Sequence, residues 1–188
     1  MTVKIPALNL TIDTAPTVEP VSLSEVRRSA SFRVNFDDED LTIYSFIKTA
    51  RAHFDGPDGV LGRTLIETTY IGRLDSFPAD GVAIELPLPP LVSVTSVKYT
   101  DDDDVEQTLS ASSYTVKTGV EPGLIAADQW PSGTDVVIEF VAGYGETAAT
   151  VPEPIRQAII LMASDLYDGK DSTAAIDRLI LPYRFRSY

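Results

Sequence analysis

The sequence predicts an α+β fold: a helical core assembled from N-terminal and C-terminal segments, with an antiparallel β excursion between them. Three observations carry this. Residues 63 to 148 break into short β-branched and aromatic runs separated by turn residues, the pattern of an antiparallel sheet. Residues 21 to 60 and 152 to 181 instead place their apolar side chains at helical spacing. Between Thr134 and Asp168, TDVVIEFVAGYGETAATVPEPIRQAIILMASDLYD, one kind of element turns into the other.

Residues 1 to 20 alternate threonine, proline and aliphatic residues without a helical period, which predicts an extended arm that folds back on its own domain or reaches a neighbour. Ser22 or Ser24 can cap a short helix through about Ala30, with Glu25 near its start. SFRVNF then leads to a second cap at Asp37 or Asp38. In the helix that follows, Ile43, Phe46, Ile47, Ala50 and Phe54 share one face, and Asp55-Gly56-Pro57-Asp58-Gly59 ends it.

The β region comprises LIETTYIGRLDSF, VAIELPL, LVSVTSVKYTD, SYTVKTG, LIAADQW and DVVIEFVAGY. Prolines in Leu86 to Leu91, LPLPPL, cannot donate to a ladder, so this segment predicts a sheet edge or corner. Alternation slips phase between Val92 and Tyr99, which predicts a bulge or a two-sided strand.

Gly143 and Gly145 supply the freedom to leave the sheet. Pro152 and Pro154 set φ for a helix start, and Glu153 puts negative charge at the positive end of its dipole. Ile155, Ala158, Ile159, Met162, Ala163 and Leu166 form one stripe, Ile160, Leu161 and Tyr167 extend it onto both flanks, and Gln157, Ser164 and Asp168 keep a narrow strip wet. Such a helix is either the centre of one domain or is caught between its own domain and a neighbouring subunit; in the second case Ile160, Leu161 and Tyr167 face the neighbour. A last helix, roughly Thr173 to Leu181, presents Ala175, Ile176, Leu179 and Ile180 and stops at Pro182. The expected division is therefore an arm at 1 to 20, one domain at 21 to 181 and a tail at 182 to 188.

Charge and composition exclude several function classes. The net charge of −13, from 28 acids against 15 bases, argues against gripping DNA or anionic lipid through phosphate neutralisation. No cysteine is present, so thiolate chemistry is absent and nothing demands an oxidising compartment. Pro6, Asn9 and Asp13 interrupt the N-terminus, so it does not read as a signal peptide, and the longest apolar run, Ala158 to Ala163, is too short for a membrane span.

Enzymatic readings find little support. Gly143 to Ala148 matches the loose G-x-G-x-x-A pattern, but two prolines open the helix where phosphate should approach and no second βα unit follows. Asp101 to Asp104 could ligate Mg²⁺ or Ca²⁺, yet four consecutive acids diverge and the glycine and distal glutamate of an EF-hand loop are missing. His53 is the single histidine, which rules out a histidine-based metal cluster. Tyr70, Tyr99, Tyr114, Trp130 and Tyr144 could form a glycan platform, though aromatics in half-buried strands usually pack. No catalytic residue, metal ligand or cofactor is expected.

Taken in order, SLSEVRRSASFRVNFDDEDLTIYSFIKTARAHFDG, GRTLIETTY, IELPLPPLVSVTSVKYTD, SYTV, VVIEFVAGYG, VPEPIRQAIILMASDLYDG and LILPYR resemble the head-tail connector (adaptor) proteins of tailed bacteriophages, prophages and gene transfer agents, over about residues 21 to 185. The most specific pieces are LPLPPLVSVTSVKY and the FVAGYG to VPEPIRQAIILMASDLYDG junction. The resemblance implies a structural protein: a ring, commonly of twelve subunits, beneath the portal protein, that receives the next neck, head-completion or tail-terminator protein and leaves a channel for DNA. It implies a place in the virion or phage-like particle, with assembly in the bacterial cytoplasm and no membrane partner.

In such rings the C-terminal end tends to reach toward the portal, which assigns docking to Tyr183, Arg184, Phe185, Arg186 and Tyr188. Three aromatics and two arginines are also hot-spot residue types, conspicuous in an acidic chain; the bland reading is that they pack on their own domain. Acids facing the channel would repel passing DNA. The candidates are Asp37, Asp38 and Asp40, and Asp101, Asp102, Asp103 and Asp104, against the readings of a helix cap and a solvated hairpin turn. The competing functions are a β-rich binding module for glycan or protein with helical flanks, and a metal-dependent nuclease.

Overall fold

The computed structural model describes residues 8–29 and 39–185. Within them the chain forms two compact units, Met1–Ala15 with Glu67–Gly143 and Pro16–Ile66 with Tyr144–Tyr188. The first unit is β and the second helical, so the α+β expectation holds, with each kind of structure gathered around its own core.

The β unit contains strands β1 (Asn9–Thr14), β2 (Thr68–Ser76), β3 (Ile84–Leu86), β4 (Leu91–Thr100), β5 (Glu106–Thr108), β6 (Thr115–Lys117), β7 (Gly123–Ala126) and β8 (Thr134–Ala142). They make a five-stranded sheet, β1-β2-β8-β4-β5, and a three-stranded sheet, β3-β7-β6; every pairing is antiparallel. Period-two alternation buries Tyr70 and Leu74 of β2 and Val136, Ile138, Phe140 and Ala142 of β8 in one core with Ile84, Leu86 and Ile125 from the small sheet. Tyr70 and Phe140 stack across it at 5.6 Å.

LPLPPL is the corner the prolines predict: β3 ends at Leu86 in one sheet and β4 begins at Leu91 in the other. The phase slip in β4 is a set of register shifts against β8, between Leu91 and Ser93, Val94 and Ser96, and Lys98 and Thr100. The N-terminal segment is extended as expected, and over Asn9–Thr14 it folds back on its own unit as an edge strand, Leu10 opposite Gly72. A Cβ at Gly72 would lie 1.8 Å from Leu8 Cδ2, so a side chain there would have to displace Leu8.

The helical unit holds α1 (Leu23–Ser29), α2 (Asp40–Phe54), α3 (Glu153–Asp168) and α4 (Thr173–Ile180), followed by a 3-10 turn, Leu181–Tyr183. Ser22 caps α1 reciprocally with Glu25: the Glu25 N–H donates to Ser22 Oγ at 3.3 Å and the Ser22 N–H donates to Glu25 Oε2 at 2.8 Å. The caps expected at Asp37 and Asp38 lie outside the described residues; Glu39 precedes α2 and makes no side-chain cap bond. Ile43, Ile47, Ala50 and Phe54 form the buried face of α2, with Phe46 partly buried beside them.

At the start of α3, Pro152 is the N-cap and Pro154 lies inside the first turn; at its end Gly169 takes φ 66° as C-cap. Arg156 ties the unit together, donating from Nε to the Pro20 carbonyl at 3.1 Å and pairing with Glu153 at 2.6 Å and with Glu25. Three assignments on α3 need correction. Ile160 is 6% exposed in the unit's own core and leaves almost nothing for a neighbour. Ser164 is buried as well, because its hydroxyl is satisfied by the Ile160 carbonyl at 2.8 Å. Leu166 is 41% exposed although its angle on the wheel matches the buried stripe. On α4, Ala175 is exposed, whereas Ile176 and Ile180 are buried.

Candidate assembly surfaces

The loop after α2 organises one end of the helical unit. The Asp55 N–H caps the helix on the Arg51 carbonyl at 2.9 Å, the Gly56 N–H donates to the Arg63 carbonyl at 2.8 Å, and Asp55 Oδ1 accepts the Leu65 N–H at 2.9 Å. Burial pushes the Asp55 carboxyl above its ordinary value, against the lowering effect of the Leu65 N–H. Gly59 has no room for a side chain, since a Cβ would lie 2.6 Å from the backbone of Asp55.

That loop receives the C-terminal segment. The Phe185 N–H donates to the Leu61 carbonyl at 2.8 Å, and Arg63, 8% exposed, donates from Nε to the Tyr183 carbonyl at 2.5 Å. Arg184 pairs with Asp177 at 2.7 Å. Tyr183, Arg184 and Phe185 are each half-buried, so the first half of the sequence-assigned docking group lies along its own unit. Arg186, Ser187 and Tyr188 lie outside the described residues.

On α3, Leu161 is half-buried against the helical core, and Tyr167, also half-buried, donates its hydroxyl to Glu39 Oε2 at 2.8 Å. Of the three flank residues assigned to an interface, these two keep surface. Leu166, placed on the inner stripe by spacing, joins them outside.

The acidic candidates divide. Asp37 and Asp38 lie outside the described residues, and Asp40 pairs with Arg27. Asp101 builds the β4–β5 turn: Oδ1 accepts the N–H groups of Asp103 and Val105, both at 3.0 Å, and Oδ2 accepts Gln107 Nε2 at 2.7 Å. The Val105 N–H, then the Gln107 amide, hold its carboxyl below the ordinary range. Asp102 accepts the Ser132 hydroxyl at 3.0 Å. Asp102, Asp103 and Asp104 are exposed.

Charge is distributed unevenly between the units, which no single acidic run reveals. The β unit has fourteen acids and four bases, a net −10, and the helical unit fourteen acids and eleven bases, a net −3. The acidity therefore belongs mainly to the sheets, whereas most of the cations lie in the helical unit.

The remaining motifs fold as follows. Gly143 and Gly145 have φ of 139° and 148°, but a 3-10 turn at Ala148–Thr150 separates them from α3, so they do not open a helix onto a phosphate. His53 is exposed and lies edge-on to Phe54 at 5.0 Å. Trp130 stacks on Phe77 at 5.1 Å and donates Nε1–H to the Val82 carbonyl, which makes it a packed core residue. Among the described residues no group of acids or histidine is gathered as a metal site, and no helix is long and apolar enough to cross a membrane.

No family model matches the chain, and no curated protein matches it. Chains in several solved structures share its fold. A chain in the neck of an empty GTA particle, computed with C6 symmetry, superposes with a TM-score of 0.79 at 24% identity, covering 96% of this chain and 97% of that one. A chain in the virion of a native gene transfer agent (GTA) particle gives 0.77 at 23% identity, over 95% and 96%. A chain in the neck of a native GTA particle, computed with C12 symmetry, gives 0.71 at 23%, over 97% of both.

Proposed function

We propose that this protein is a structural, non-enzymatic neck component of a phage-like particle: a head-tail adaptor whose copies form a ring, of twelve subunits, beneath the portal protein. The observation that carries this reading is the likeness of fold over nearly the whole of both chains to neck and virion chains of gene transfer agent particles. The likeness spans 95–97% of this chain and 96–97% of the matched chains. It agrees with the residue-level resemblance to adaptor proteins.

Ring closure requires a heterologous contact, in which one surface of a subunit meets a different surface of the next. Leu161, Leu166 and Tyr167 supply one side of such a contact, because they keep apolar area outside a core that is already closed. The β unit, at net −10, suits a wall along which DNA slides, since few cations are available to displace its counterions. Asp102, Asp103 and Asp104 are the exposed candidates for that wall, and Asp101 serves the turn. The opposite face of the ring receives the next neck or tail protein.

The test is assembly. Purified chain, alone or with portal protein, is expected to form rings by mass measurement and electron microscopy. A chain that stays monomeric with portal present, and instead retains a glycan or peptide, would make it a binding module.

A further inference from the structure

We infer that the outward face of α2 is the other half of the ring contact: Leu41, Tyr44 and Lys48 of one copy receive Leu161 and Leu166 of the next. The inference rests on the proposed ring and names the two surfaces that close it.

Helical spacing divides α2 sharply. Ile43, Ile47, Ala50 and Phe54 enter the core, and on the opposite side Leu41, Ser45, Lys48 and Ala52 form a stripe at i, i+4, i+7 and i+11 that is exposed throughout. Leu41, 84% exposed, is the most exposed large apolar side chain among the described residues. Tyr44 stands one turn on, 42% exposed, with Lys48 Nζ 4.7 Å from its ring centre. The hydroxyls of this face are already satisfied: Ser45 Oγ donates to the Thr42 carbonyl at 2.6 Å, and Thr49 Oγ1 to the Ser45 carbonyl at 2.9 Å. A partner can therefore cover them without stranding a donor.

Charge and direction select a second copy as the occupant. Residues 41 to 54 contain no acid in a chain that has 28; Lys48 is exposed, and Arg51 is held by Glu19 and Asp55. Residues 157 to 169 contain Asp165 and Asp168 and no base, at the negative end of the α3 dipole. Asp168 meets Lys170, and Asp165 accepts the N–H and hydroxyl of Ser172. An acid-free apolar strip on one helix thus complements a base-free one on another. The two face different ways. Tyr167 reaches Glu39, which lies four residues before Ile43 on the inner stripe of α2, so the end of α3 runs along the side of α2 opposite Leu41. A contact between opposite sides of one unit is heterologous and repeats by rotation, as a ring requires.

The chain has no cysteine, so introduced thiols report this contact alone. The test treats full-length Leu41→Cys, Leu166→Cys and the double variant with a short bismaleimide, with and without portal protein, and reads covalent size on denaturing gels. The double variant is expected to give a ladder of multimers, an equimolar mixture of the two single variants dimers only, and each single variant alone monomer. Leu41→Asp is expected to raise the concentration for half-assembly about tenfold or more, the scale of a lost interface anchor, with unchanged thermal unfolding. Rings of normal mass from the double variant without a ladder would overturn the inference. Dimers from Leu41→Cys alone would overturn it in favour of a two-fold contact. An intrachain link, or slow maleimide labelling of Leu41→Cys in the free chain, would mean that the chain covers this face itself. Normal ring mass of Leu41→Asp with lost retention on particle heads would give the face to the portal instead. Failure of the wild-type chain to form rings, with portal or without, would remove the ring reading on which this one rests.

Discussion

Ser22 and Glu25 close a two-way cap at the start of α1, and the same glutamate carries an ion pair to Arg156 on α3. One carboxylate thus fixes both the beginning of a short helix and its attachment to the central one. A seven-residue helix is marginal alone, so its order depends on this attachment and on buried Val26.

Ser22→Ala is expected to destabilise the helical unit by about 1 kcal/mol, the usual cost of a lost cap. Chemical denaturation checks it. No change in midpoint would mean that Arg156 alone holds α1.

The cap also has a pH signature. The Ser22 hydroxyl first, and then the Ser22 N–H and Arg156, hold the Glu25 carboxyl below its ordinary value of 4.5, against an opposing effect of burial. A carboxyl with a depressed folded pKa contributes stability above its unfolded value, and loses it as pH falls through the folded one. Stability is therefore expected to fall below about pH 4.5, and less steeply in Glu25→Gln. Superimposable acid profiles for the two proteins would contradict this.

Ile159→Asp should unfold the helical unit, because a charge would enter a fully buried site. Ile160→Asp should do nearly the same, given its burial, although spacing placed it on an interface flank. Leu161→Asp should leave circular dichroism intact and reduce ring formation. Equal loss of folding from all three would mean that α3 is wholly enclosed by its own subunit.

Gly59→Ala should cost about 1–3 kcal/mol, the range for forced overpacking, since the new methyl would meet the backbone of Asp55. Gly81→Ala is the contrast. Its Cβ would meet nothing, but φ is 75°, so the cost should be only the smaller left-handed strain. Thermal unfolding ranks the two, and the opposite order would refute the packing argument.

Asp101→Ala should weaken the β4–β5 hairpin, whereas Asp103→Ala should fall within about 0.5 kcal/mol of wild type, as exposed sites do. Amide exchange at Val105 separates them. Equal protection in both variants would show that the turn does not need the Asp101 carboxylate.

Local signals in the sequence were sufficient wherever the structure is decided locally. The cap of α1, at Ser22 of the two serines offered, the buried face of α2, the proline corner and the β4 phase slip each depend on a few neighbouring residues, and each stands where it was read. Most of what failed involved partners far away in the chain. Asn9–Thr14 has too short an alternation to announce a strand, and only its pairing with β2 makes it one. Ser164 looks polar, but a bond to its own helix hides it. The hold of Arg63 on Tyr183 spans 120 positions, and an arginine in a loop gives no sign that it is buried. The charge split was present in the composition, but it became visible only once the boundaries of the two units were known.

Cryo-electron microscopy of the neck of particles from the native source tests the central claim most directly. A closed ring of twelve copies of this chain between portal and tail, with the acidic β unit toward the DNA path, is the expected result. A neck built without this chain, or particles in which mass spectrometry finds no copy of it, would contradict the account.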